Sequence, residues 1–458
     1  MGDITREELI QKLSLLLEEK KLAQISAVFK DLYPADIAEI IEDSSIPEKG
    51  LPILFRLLPK DVAAEVFVEM DGETQQALIH AFSDSELHDM LDELFVDDTV
   101  SIIEEMPANV VRRIIKNCAP QMRSQINKIL EYPSDSAGSI MTPEYIFLRK
   151  NMTVEQAIEV IRRVGLDSET IYTCYVIEPD RTLIGVITVR ELLLNPNDSS
   201  IADIMNTNVI YVETKTDKED VAKLFDKYDF LAFPVVDAEK RLVGIITVDD
   251  AIDVIRDEAT EDFSKMAAVM PIEESYFKAS VFKHARNRIL WLIILMVSAT
   301  ITGAIITGYE EAFSAIPLLI ACLPMLMDTG GNCGAQTSTM IIRGMAVDEM
   351  KPRDFLKVWW KEIRIAFMVG IALAAVNFLR VLLLYGSSVD TIRLAVTTCS
   401  ALMFTVCLAQ SLGCMLPMLA KACKLDPAIM ASPLITTIVD ALSVTVFFAI
   451  AVVVFQLH

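Results

Sequence analysis

The chain has 458 residues, a formal charge of −23 and a mean hydropathy of +0.41, with 53% hydrophobic and 23% charged side chains. That balance excludes a wholly soluble protein on its apolar content and a bare membrane bundle on its charge, and it implies two halves of different character. Residues 1–285 hold 54 acidic and 29 basic side chains, whereas residues 286–458 hold 10 and 12, so the negative charge belongs to the first half, which repels nucleic acid and attracts cations.

The opening Met1-Gly2-Asp3-Ile4-Thr5-Arg6-Glu7-Glu8 has no apolar core and does not read as a signal peptide, so the first half is expected in the cytosol. Residues 1–132 read as short amphipathic helices forming an all-α superhelix. Start signals recur at Pro34-Ala35-Asp36, Pro59-Lys60-Asp61, Ser83-Asp84, Asp97-Asp98 and Pro107-Ala108-Asn109. Tyr132 to Gly138 then reads as a linker. Residues 133–200 and 201–256 contain two copies of one α/β unit. Ser139-Ile140-Met141-Thr142 answers Asp203-Ile204-Met205-Asn206, and Leu183-Ile184-Gly185-Val186-Ile187-Thr188-Val189 answers Leu242-Val243-Gly244-Ile245-Ile246-Thr247-Val248. This doubled pattern resembles a tandem CBS pair.

Residues 257–285 form a charged amphipathic connector. Within 286–458, five apolar segments are each long enough for about 30 Å of hydrocarbon, at roughly 288–308, 313–342, 358–386, 391–422 and 428–456. Lys283, Arg286 and Arg288 precede the first. Arg343, Lys351, Arg353, Lys357, Lys361 and Arg364 lie between the second and third, and Lys421 and Lys424 between the fourth and fifth. The other two connections carry Glu310, Glu311 and Asp390, with Arg393 the basic exception. The positive-inside rule puts the N-terminal half in the cytosol and the C-terminus outside.

An ionisable residue in mid-span is a functional candidate. Asp440 in the last span reads as a pore carboxylate attracting a hydrated divalent cation, on a segment that also presents Ser432 and Thr436; the alternative is a protonated Asp bonded to a neighbouring helix. In the second span, Asp328-Thr329-Gly330-Gly331-Asn332-Cys333-Gly334-Ala335-Gln336-Thr337 suggests an interrupted segment lining a cavity, the alternative being close packing through small residues. Asp328 is either a second pore carboxylate or the partner of a basic group. The eight cysteines form no CxxC pair and read as reduced thiols rather than disulfides or a zinc site. With four histidines, no P-loop and no nucleophile–base arrangement, no enzyme is expected.

The order of helical domain, CBS pair, connector and five spans resembles the MgtE family of magnesium channels, as do Gly330 to Thr337 and Lys424-Leu425-Asp426-Pro427-Ala428 through Asp440. The resemblance implies a homodimer in the plasma membrane, with Asp440 holding the pore ion on the two-fold axis and a plug helix at about Glu261 to Lys283. It maps regulatory Mg²⁺ ligands onto Asp249, Asp250, Asp253, Glu258, Glu261 and Asp262, and further onto Asp217, Glu219, Asp229, Asp426, Glu65, Asp97 and Asp98. The CBS resemblance adds ATP as a candidate ligand of the pair: the second copy keeps Gly244, Thr247 and Asp250 in that family's ribose-binding pattern, whereas the first has Arg190-Glu191 there. Asp328 departs from the small or neutral residue that members commonly have. A broader Mn²⁺ or Co²⁺ transporter and a non-conducting CBS-regulated signalling protein are the rival readings.

Overall fold

Proline and short polar residues punctuate the first 132 residues, and in the computed structural model Pro34, Pro59, Ser83 and Pro107 each open or immediately precede a helix. The structure describes residues 6–43, 46, 50–272, 276, 279–309, 316–430 and 432–456; Met1 to Thr5, Glu310, Glu311 and the side chain of Ser432 lie outside it. Two units divide the chain, residues 1–255 and 256–458.

The first unit begins with ten helices, from α1 (Arg6–Glu18) to α10 (Pro120–Ile129). Ser83 shows how one starts: its hydroxyl accepts from the Glu86 amide at 3.2 Å and Glu86 Oε2 accepts from the Ser83 amide at 2.8 Å, satisfying two amides that a helix start leaves unpaired. Helices pack on the next but one in sequence. Thus α3 (Pro34–Ile41) meets α5 (Lys60–Val68), α5 meets α7 (Asp84–Leu91), and α7 meets α9 (Ala108–Asn117). This alternation builds the expected superhelix, and Ile37, Val66, Phe67, Leu87 and Ile114 are fully buried in its axis.

The two α/β copies follow. The first comprises β1 (Tyr145–Leu148), α11 (Val154–Val164), β2 (Thr170–Ile177), β3 (Leu183–Thr188) and α12 (Val189–Leu194). After the short α13 (Ile201–Ile204) come β4 (Val212–Glu213), α14 (Lys218–Tyr228), β5 (Ala232–Val236) and β6 (Leu242–Thr247). Each three-stranded sheet has one parallel and one antiparallel pair. The copies exchange their leading segments: Thr142 pairs with Ile245 of the second copy, and Asn206 with Val186 of the first. Tyr132 to Gly138 is therefore no loose linker. The amides of Ala137 and Gly138 donate to Thr216 O at 2.7 Å and Thr214 O at 2.9 Å, because a backbone group buried there needs a partner.

From the second copy the chain enters α15 (Val248–Met266) without a break. The connector thus begins as the far half of α15, since no Gly or Pro interrupts it; of the expected plug helix, residues 273–275, 277 and 278 lie outside the described residues, and from Val281 onward the chain belongs to α16 (Val281–Gly308). Then come α17 (Leu318–Ala346), α18 (Phe355–Tyr385), α19 (Val389–Ala422) and α20 (Ser432–Phe455). Among the described residues, five helices are long and apolar enough to cross a membrane. Helix α19 contacts α17, α18 and α20, while α16 packs on α20. The expected interruption of the second span is not found: α17 is continuous, and its glycines serve close packing. A Cβ on Gly331 would lie 2.7 Å from Thr436 Cγ2, and one on Gly334 2.7 Å from Ile435 Cγ2, so only glycine lets α17 approach α20 this closely.

Gly244 holds the exchanged segment in place. A Cβ there would lie 2.8 Å from Met141 Sδ and 2.9 Å from the Thr142 carbonyl oxygen, and backbone cannot move aside cheaply. Gly244→Ala is expected to destabilise the CBS pair by about 1–3 kcal/mol, read as a lower thermal midpoint for the soluble half in calorimetry of the full chain. An unchanged midpoint would mean that the segment exchange is not rigid.

Candidate ion path and cytosolic acidic face

Helices α17 and α20 run antiparallel along the glycine contact. With Gly331 against Thr436, three residues back on α17 is Asp328 and four residues forward on α20 is Asp440, so the two carboxylates share a level and lie within one another's field. Asp328 is exposed on the side of this single chain, and so are Asn332, Gln336 and Thr339, which follow it at helical spacing. They make one polar stripe down α17. Thr436 and Asp440 are half-buried beside it, and Ser432 opens α20 with its side chain outside the described residues. Asp440 Oδ1 is buried with no hydrogen-bond partner, and the same holds for Ser443 Oγ, Thr405 Oγ1 and Gln410 Oε1. Ser443 and Thr405 flank Gly330, whose Cβ would meet Thr405 Cγ2 at 2.6 Å and Ser443 Oγ at 3.1 Å. Nothing in the sequence singles out Thr405, Gln410 or Ser443, because their significance lies in being left without partners after packing.

Within the first unit, carboxylates from the helical domain and both CBS copies gather. Asp97, on α8 (Val96–Glu105), is 8% exposed, and its Oδ1 has no partner. Burial and the neighbouring Asp250 carboxylate push its proton affinity well above the ordinary carboxylate range. Burial, with Asp250 and Asp249 next, raises Asp98 to about 7. Glu169 rises to about 8 through burial and the charges of Asp98, Asp250 and Asp249. Asp250 reaches about 6, mainly through burial, although the Thr247 hydroxyl donates to it at 2.6 Å and stabilises its charge. Glu144 completes the group, its Oε2 accepting from the Val96 amide and the Thr142 hydroxyl, each at 3.0 Å. Glu144 and Glu169 were not among the residues expected from sequence. One signal was there: aligning the copies sets Glu144 opposite Asn208, an acidic residue in only one of them. Among the described residues, no three His, Cys, Asp or Glu side chains converge closely enough to hold a metal ion directly. An ion that keeps its water shell suits such spacing, since water bridges the remaining gap.

Other expected ligands lie elsewhere. Asp217 caps α14 by accepting from the Glu219 amide at 2.9 Å, and Glu219 pairs with Lys223 at 2.7 Å. Glu65 is exposed on α5, and Asp229 ends α14 in a left-handed conformation with φ +53°. Asp253 lies on α15 near enough to Asp250 to raise its proton affinity. Glu258 and Asp262 sit farther along α15. Glu261 and Asp426 are brought together by a residue the sequence reading passed over: Lys265 Nζ lies 2.7 Å from Glu261 Oε1 and 2.7 Å from Asp426 Oδ2. Asp426 also accepts from the Ala428 amide at 2.8 Å, at the turn that leads into α20.

A cavity of about 980 Å³ lies between the CBS copies, lined by Tyr172, Arg190, Glu191, Asn206, Asp229 and Phe230 among others. Gly244, Thr247 and Asp250 are not among its lining residues. Gly244 is packed under Met141, and Thr247 is bonded to Asp250.

Comparison with known proteins agrees with this arrangement. A family described as "Divalent cation transporter" matches residues 323–450, an "MgtE intracellular N domain" matches 32–135, and "CBS domain" matches 137–197 and 201–257. "Magnesium transporter MgtE" of Thermus thermophilus is 34% identical over 449 residues, covering 97% of this chain and 98% of that protein. The Bacillus subtilis protein of the same description is 30% identical, covering 98% of both. A crystal structure of "the soluble part of a magnesium transporter" is 33% identical, with a TM-score of 0.52 over 56% of this chain and 100% of that one. A match of this extent, in the same order of domains as the structure shows, settles kinship: the chain belongs to the MgtE family of magnesium transporters.

Proposed function

We propose that this chain is a channel admitting Mg²⁺ to the cytosol, assembled as a homodimer in the plasma membrane with its N-terminal half inside and its C-terminus outside. The observation that carries this reading is the polar stripe of α17 beside Asp440. Asp328 lies ten residues into α17, about 15 Å from its start at 1.5 Å per residue. A carboxylate exposed at that depth is too costly to face lipid, so this side faces water. Two copies set stripe to stripe enclose a polar path, and Asp440, with Asn332, Thr436 and Ser432, is proposed to hold a hydrated ion along it. Oxygen ligands also suit Mn²⁺ and Co²⁺, and the family description covers divalent cations generally.

Control is proposed to come from the acidic face. Two unit charges about 4 Å apart repel by roughly 4 kcal/mol at an effective dielectric near 20. Mg²⁺ among Asp97, Asp98, Glu144, Glu169, Asp249 and Asp250 relieves that repulsion and favours the compact form. Helix α15 starts at this face and ends at the Lys265 bridge to Asp426, so a change at one end is conveyed to the turn before α20; high cytosolic Mg²⁺ then closes the path. An adenine nucleotide is proposed for the cavity between the CBS copies. Its volume suits such a ligand, Tyr172 and Phe230 offer ring faces, and Arg190 offers a charge for phosphate.

Proteoliposome uptake tests the path. Wild type should take up Mg²⁺, and Asp440→Ala should fall to the protein-free background with Mg²⁺, Mn²⁺ and Co²⁺ alike. Uptake surviving the substitution would remove Asp440 from the path, and no uptake of any ion by the wild type would favour the non-conducting reading.

Proton linkage tests the acidic face. Asp250, Asp98 and Glu169 hold protons more tightly folded than unfolded, so without Mg²⁺ their contribution to stability is complete below about pH 4 and is lost as pH rises through about 6, 7 and 8. Mg²⁺ competes with those protons. The rise in thermal midpoint caused by Mg²⁺, measured by calorimetry of the full chain, is expected to grow from pH 6 to pH 8. Asp98→Asn should raise the Mg²⁺-free midpoint and at least halve the Mg²⁺ effect. A Mg²⁺ effect independent of both pH and Asp98 would move the sensor elsewhere.

A further inference from the structure

We propose that Asp328 is a second ion-holding carboxylate in each protomer, set across the α17–α20 contact from Asp440, and that it strengthens the path's preference for divalent over monovalent cations. This deepens the reading of the chain as a Mg²⁺ path and rests on it.

Three observations converge on the pair. The glycine contact fixes the register, with Gly331 against Thr436 and Gly330 against Ser443, so Asp328 and Asp440 meet at one level. Neither carboxylate has a basic partner among the described residues. The nearest candidate is Arg380, whose guanidinium touches Met325 Sδ at 3.6 Å, one turn from Asp328. It is turned instead onto Asn377, donating to its Oδ1 at 2.9 and 3.2 Å. Asp328 is thus not the counter-ion of an arginine. The third observation is an oxygen without a donor: Asp440 Oδ1 is buried and unpartnered.

A buried polar oxygen of this kind is normally satisfied. A hydrated divalent cation on the exposed side of the α17–α20 contact supplies what Asp440 lacks, because its inner-shell waters are strong donors and its charge offsets two carboxylates at once. Mg²⁺ sheds water reluctantly, and two carboxylates on facing helices can hold the intact shell from opposite sides without stripping it. A monovalent ion gains half as much from the same field. With one carboxylate the path still attracts cations, but it separates the two charge classes less sharply.

The test compares wild type with Asp328→Asn, Asp328→Glu, Asp440→Asn and the double Asn variant in proteoliposomes, reading Mg²⁺ uptake against external Mg²⁺ and Na⁺ leak in its absence. Losing one carboxylate at about 7 Å from a divalent ion in a watery path should raise the half-saturating Mg²⁺ concentration about five- to tenfold. Na⁺ should be excluded less well in Asp328→Asn, and Asp328→Glu should restore both properties. The double variant should lose less than the product of the two single losses. Unchanged half-saturation and Na⁺ exclusion in Asp328→Asn would overturn the proposal, and so would Asp328→Glu behaving like Asp328→Asn. Should Asp328→Asn fail to fold, Asp328→Cys serves, treated beside the wild type with anionic and cationic water-soluble thiol reagents. Recovery of affinity with the anionic reagent alone supports the proposal; equal effects of the two, or none, overturn it. A wild type without flux overturns both this proposal and the reading beneath it.

Discussion

The membrane unit depends on the approach of α17 to α20 along Gly330, Gly331 and Gly334. At each of these glycines a Cβ would come within 3 Å of a side chain on a neighbouring helix. In lipid, helices gain little from burying apolar surface against one another, so close backbone packing has to supply the association. That packing has a chemical consequence. The glycines put one side of α17 against its neighbours, and Asp328, Asn332 and Gln336 come out on the side left exposed. Glycine in this segment thus decides which side of α17 is closed by packing and which is left for polar groups.

The cytosolic face uses carboxylates in a different way. In the membrane unit the acidic side chains are few, and Asp328 is left exposed. In the first unit many are gathered and partly desolvated, so protons are held into the neutral range. A cluster of that kind is stabilised by protons or cations, because either lowers the repulsion among its carboxylates.

Much of this was legible in the sequence and some was not. Helix starts at Pro34, Ser83 and Pro107 follow from local chemistry, and the doubled Gly-Ile-Ile-Thr-type strands announce two copies of one unit. Asp440 and Asp328 stood out because charge in an apolar run is rare. The glycines of the second span were misjudged as a break, since composition alone does not say whether glycine loosens a helix or lets a neighbour approach. Glu144 and Glu169 escaped because their importance arises from three segments far apart in sequence folding against one another. Asp217 and Glu219 are engaged locally, in a cap and an i,i+4 pair. Acidity in a sequence is a count, whereas a cation site is a deficit of partners.

Lys265 sharpens that distinction. Two of the expected ligands, Glu261 and Asp426, do meet, but a lysine ammonium already stands between them, and this pairing holds its proton more firmly than usual. A covalently attached cation cannot report on ion concentration, because it never leaves. Where the acidic face has exchangeable charge, this contact has fixed charge, and fixed charge suits a mechanical joint.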